Sequence, residues 1–154
     1  MHPKTPKLLL SLLGLAAATA AIAACSFAAT TRAPDRERGR YLVEQVGLCH
    51  DCHSPRDQTG RYLPERWLQG SALPFAPTVP MPWAPVSKPI AGLPAMTDAQ
   101  AMTFLTTGVL PDGRRPLPPM PEYRFSADDA RDVIAYLRAP EAPAALAGDA
   151  AGAR

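Results

Sequence analysis

The chain has 154 residues, 47% hydrophobic and 19% charged, with a formal net charge of +2, which bounds it to about one domain. Lys4 and Lys7 account for the whole excess, since without them Lys+Arg and Asp+Glu balance at 14 each; no basic field exists to hold a nucleic acid. The only cysteines are Cys25, Cys49 and Cys52, so a disulfide framework is excluded and the fold must rest on its core and on what it binds.

The first seven residues are short and positive, and Leu8–Ala29 then runs 22 residues without a charge. A positive segment followed by an apolar one is an export signal. Ile22-Ala23-Ala24-Cys25 resembles the lipobox of bacterial lipoproteins, which makes residues 1–24 a signal peptide and Cys25 the candidate lipidation site. Cleavage at Ala21-Ile22-Ala23 and an uncleaved anchor are the alternatives, because about 20 apolar residues suffice to span a bilayer. All three place the remainder of the chain on the periplasmic side, and a lipid or an anchor would hold it at the membrane.

Residues 25–34 read as a linker. Asp35 is positioned to cap a helix reaching Val46, with Leu42, Val43 and Val46 at helical spacing and Gly47 as its stop. Gly39 inside that helix costs about 1 kcal/mol relative to alanine, so it calls for a reason, such as close approach of another helix. From Ser54 to Leu93, eight prolines between Pro55 and Pro89 forbid a long helix. This is a long loop laid over a surface, with Trp67, Phe75 and Trp83 as its apolar contribution. Thr97 and Gln100 form a capping-box pair at the start of a helix stopped by Gly108. Ser126 caps a last helix whose stripe is Ala130, Val133, Ile134 and Leu137, ended by Pro140. The Ala/Pro/Gly-rich residues 140–154 are expected to be disordered.

Between the first helix and the loop stands Cys49-His50-Asp51-Cys52-His53. This is C-x-x-C-H, the spacing by which two thiols attach a haem covalently and the following histidine ligates its iron. Cys49 and Cys52, three apart, share one face of a helical turn. A thioredoxin-like C-x-x-C would follow a strand in a βαβ pattern, and none is predicted. Structural zinc needs four ligands, and the exported part has no other Cys or His. One covalently attached haem c is the expected cofactor. The arginines around it (Arg36, Arg38, Arg40, Arg56, Arg61, Arg66) read as a solvated face, one of which could pair with a haem propionate.

His50 cannot reach the opposite face of the same iron, and His2 belongs to the export segment, so a second histidine ligand is excluded within the chain. Methionine is the remaining common choice. Of the four after His53, Met102 lies on a helix, where packing is the expected role, and Met96 adjoins a cap. Met81 and Met120 are both flanked by prolines on stiff segments.

Residues 35–139 resemble the class I c-type cytochromes, monohaem electron carriers. The resemblance rests on a first helix bearing Gly39, on Cys49–His53, and on a Pro-Met-Pro methionine before a last helix ending Ala135-Tyr136-Leu137. It implies an all-α fold of three to five helices around one haem, with the first and last helices crossing so that Gly39 faces the stripe around Tyr136. It also implies Met120, on the loop before the last helix, as sixth ligand beside His53. The proline-rich segment is longer and less helical than in the simplest members.

With His53 and Met120 both bound, the iron has no place for a substrate, and the expected role is a non-catalytic carrier of single electrons. Its partners would be a dehydrogenase, a respiratory complex or a terminal oxidase, with no small-molecule substrate. Work as a subunit of a larger complex is one alternative. An open-site haem enzyme or gas sensor is another, and it would need a distal histidine or arginine.

Overall fold

A computed structural model describes residues 32–144 and 146. The export segment, the lipobox-like Cys25 and the last residues of the chain lie outside them. Four helices organise the described part: α1 (Arg36–Tyr41), α2 (Cys49–His53), α3 (Asp98–Thr107) and α4 (Ala127–Leu137). A 3-10 turn at Pro64–Arg66 is added within the long loop. No strand occurs among the described residues, only isolated bridges at Arg56–Tyr62 and Ala72–Val86, consistent with the expected all-α class. Among them no helix is long and apolar enough to cross a membrane.

Helix starts follow the side chains that cap them. Asp35 accepts from Arg38 N at 3.0 Å, Ser126 from Asp129 N at 3.1 Å, and Thr97 and Gln100 make the reciprocal capping box. Gly108 closes α3 at φ +69°, the left-handed conformation that glycine adopts without strain.

The first helix departs from expectation. α1 runs on into a π-helical turn, Leu42–Val46, closed by Gly47 N donating to Leu42 O at 2.7 Å, five residues back. The wider turn rotates the residues after it. Val46, expected on the apolar stripe, is 53% exposed, whereas Glu44 is buried. Gly47 has φ −83° and is not the left-handed stop; that conformation falls on Leu48, at φ +47°.

α1 and α4 form the centre of the fold. A Cβ on Gly39 would stand 1.9 Å from the backbone oxygen of Asp132 and 3.0 Å from Tyr136 Cβ, so the two helices touch backbone to backbone where glycine leaves room. This is the close approach expected of Gly39, and it faces Tyr136. Around the crossing Leu42, Val43, Val133, Ile134 and Leu137 are buried with Trp67 and Leu68 from the loop. At the crossing the Tyr136 hydroxyl donates to Glu44 at 2.5 Å and accepts from Trp67 Nε1 at 3.3 Å. Tyr136→Phe is therefore expected to cost about 1–3 kcal/mol, by stranding a buried carboxylate and an indole N–H, measurable by chemical denaturation.

The loop is less irregular than eight prolines suggest. Leu68 is fully buried at φ +57° and is held there: its N–H donates to Ser54 Oγ at 2.9 Å, and its carbonyl accepts from Ile90 and Ala91. Residues 71–73 run antiparallel to 85–87 through Leu73 N–Pro85 O (2.9 Å) and Ser87 N–Ser71 O (2.8 Å). Trp67 carries apolar area from the loop into the main core. Beyond Pro140 the expected tail is packed in part, with Ala142 and Leu146 against the core.

Candidate haem site

α2 is a single turn, and its sequence is the motif itself. It begins at Leu48, whose left-handed backbone costs about 1–2 kcal/mol for a non-glycine residue; the break separates α2 from the π-turn and sets its direction. Cys49 and Cys52 are free thiols on this turn, both partly buried. Burial pushes the Cys49 thiol up to about 11 and raises Cys52 for the same reason. A buried thiolate is costly, whereas a thioether has no charge to desolvate.

The long loop clasps α2 from three points. Gly70 N donates to His53 O at 2.7 Å, Ser87 Oγ donates to Cys52 O at 2.5 Å, and His53 Nδ1 lies 2.6 Å from Lys88 O. A carbonyl can only accept, so Nδ1 carries the proton and Nε2 keeps its lone pair, the form in which imidazole binds a metal. His53 is 8% exposed, and burial holds its pKa below the usual value against the opposing pull of the Lys88 carbonyl, so it stays neutral. Gly70 permits the clasp: at φ +81°, a Cβ there would meet Ser87 O at 2.7 Å.

His50, on the same turn, points elsewhere. It stacks on Trp67 (5.2 Å, 23°) and meets the edge of Tyr62, and burial lowers its pKa. The six arginines expected as a solvated face are exposed, and four of them are also ion-paired: Arg36 with Glu141, Arg38 with Asp129, Arg40 with Glu37 and Arg56 with Asp51.

The methionines separate by environment. Met96 and Met102 pack against the core, the role expected of Met102. Met81 is 45% exposed. Met120 is half-buried on a strap tied at both ends: Ala84 N donates to Pro118 O at 2.8 Å and Tyr123 Oη donates to Gly47 O at 2.6 Å. Ser87, Gly70, the Lys88 carbonyl and Tyr123 are the positioning groups that the sequence did not reveal. Their bonds run largely through backbone atoms, which carry no residue identity.

The residues of the motif fit a covalently attached haem: two thiols on one turn and a buried imidazole whose Nδ1 is held at the Lys88 carbonyl. Trp83 Nε1 is buried without a hydrogen-bond partner among the described residues, a donor suited to a haem carboxylate. Leu48 beside the motif, Phe75, Val79 and Met81 on the loop, and Leu117 on the strap keep 45–63% of their surface exposed, apolar area of the kind a porphyrin covers.

One comparison with known proteins bears on the class. Over 42 residues the chain is 52% identical to a diheme cytochrome c-type protein of Cereibacter sphaeroides, and this supports a c-type cytochrome. The match spans 27% of this chain and 14% of that relative's length. No family model matches, and no solved structure does. A c-type cytochrome implies covalently bound haem c, and with it electron transfer; the relative is diheme by name, whereas this sequence has a single C-x-x-C-H.

Proposed function

We propose that this chain is a monohaem c-type cytochrome of class I that carries single electrons between redox proteins on the periplasmic side of a membrane. Cys49 and Cys52 attach one haem c, His53 and Met120 ligate its iron, and Cys25 carries the lipid that holds the domain at the membrane. Haem so bound supplies the ferric/ferrous couple, and thioether ligation raises its potential by favouring the ferrous state. The chain's own part is to hold that couple rigidly. Lys88 fixes the His53 tautomer, Ser87 and Gly70 pin the attachment turn, and the braced strap presents Met120. Ligands anchored in this way suit electron transfer more than catalysis. The observation that carries the reading is His53, buried with its Nδ1 held at the Lys88 carbonyl, on the same turn as two free cysteines.

The partners are a dehydrogenase, a respiratory complex or a terminal oxidase. The balanced surface charge gives no long-range steering, so pairing rests on local fit or on assembly in a complex. The likeness to a diheme cytochrome favours one second reading, a subunit of a larger multi-haem assembly; copurification of partner cytochromes from membranes would select it.

The test is covalency. Expressed with a haem-attachment machinery, the denatured protein is expected to retain haem on a peroxidase-stained gel. Either Cys49→Ser or Cys52→Ser should leave a single thioether, and the double variant no retained haem. Full retention in the double variant would overturn the assignment.

A further inference from the structure

We propose that Tyr123 is a positioning residue that latches the Met120 strap onto the haem-attachment segment and so sets how readily the sixth ligand is released. The inference rests on His53/Met120 ligation of the iron. Tyr123 lies three residues after Met120, and Gly47 two residues before Cys49. The bond from Tyr123 Oη to Gly47 O, 2.6 Å across 76 residues of sequence, therefore joins the segment bearing one axial ligand to the segment bearing the other.

The local geometry is arranged around that bond. The left-handed Leu48 breaks helical hydrogen bonding after Gly47, so the Gly47 carbonyl is offered to a partner elsewhere in the chain. Gly47 itself has φ −83°, which any residue tolerates, so conformational freedom does not account for glycine there. Space does: a Cβ would lie 3.3 Å from the Tyr123 hydroxyl, 3.2 Å from Cys49 Sγ and 3.0 Å from Leu42 O. On the far side the ring stacks on Phe125, 5.1 Å between centroids and 15° between planes. Phe125 is itself fixed by its N–H to Leu105 O at 3.0 Å. The ring is thus held by apolar contact, and the hydroxyl alone makes the latch.

For the thioether to leave the iron, the strap must swing away and this bond must break. An incoming ligand that occupies the vacated position binds with an apparent affinity proportional to the fraction of open strap. Removing one hydrogen bond raises that fraction about fivefold.

The experiment titrates imidazole into the oxidised, haem-loaded protein and follows loss of the weak far-red band of the methionine–ferric bond. Tyr123→Phe keeps the ring stack and is expected to bind imidazole about fivefold more tightly than wild type. Tyr136→Phe, which loses a hydroxyl in the core away from the strap, is the stability control and should stay within twofold of wild type. An unchanged imidazole affinity in Tyr123→Phe overturns the latch, as does an equal rise in both variants, which would mark general loosening. A wild-type protein that lacks the band and binds imidazole as Met120→Ala does overturns the ligation reading and the latch with it.

Discussion

Gly39→Ala is expected to destabilise the fold by about 3 kcal/mol or more, visible as a large drop in thermal midpoint and in denaturant concentration at half-unfolding. The new methyl carbon would stand 1.9 Å from the oxygen and 2.5 Å from the carbonyl carbon of Asp132. Both are backbone atoms of α4, so no side-chain rotamer can relieve the clash, and α1 and α4 must move apart. That separation would loosen Leu42, Val43, Val133 and Ile134 together. It would also stretch the bond from Asp35 N to Asp132 Oδ1, now 2.7 Å. The alanine's gain in helix propensity, about 1 kcal/mol, is too small to compensate. A variant as stable as wild type would mean that the helices do not cross at this distance.

Met120→Ala in the haem-loaded protein is expected to abolish the far-red band completely, to open the ferrous iron to carbon monoxide, and to lower the reduction potential by on the order of 0.1 V, within the roughly 0.8 V that axial ligation spans. Met81→Ala should change none of the three. The contrast follows from their settings: Met81 is 45% exposed, whereas Met120 is half-buried on a strap tied through Pro118 O and Tyr123 Oη. Met96 and Met102 are engaged in the core, and alanine there should act on stability and leave the spectrum intact. Retention of the band in Met120→Ala would remove this residue from the iron.

Much of this was legible in the residues because it depends on local chemistry. Thr97, Gln100 and Ser126 cap their helices because a side-chain oxygen within three residues of a bare N–H is a local matter. Gly39 announced a close contact because glycine has little other use in a helix. The motif stood out because two thiols and an imidazole at that spacing serve few other purposes. The π-turn was not legible: Leu42, Val43 and Val46 fit an ordinary helix equally well, and burial of Glu44 in place of Val46 follows only from the tertiary partner Tyr136. Nor was the pairing of residues 71–73 with 85–87, or the clasp of Gly70 and Lys88 on α2, since these bonds use main-chain atoms that carry no residue identity. Trp67 was expected as apolar area of the loop; that its indole also completes the Glu44–Tyr136 network is something only a view of both helices could assign.

The π-turn also makes the distance along the chain from Gly39 to Cys49 an angular setting. One residue more or fewer in an α-helix turns everything beyond it by about 100°. Gly39 is locked against α4 at one end, and α2 is clasped by the loop at the other. The extra residue absorbed at Leu42–Val46 is what lets both be satisfied at once. A change of length in this spacer would break one of the two settings, and transplanting the attachment turn onto another helix would require carrying the widened turn along as its gearing.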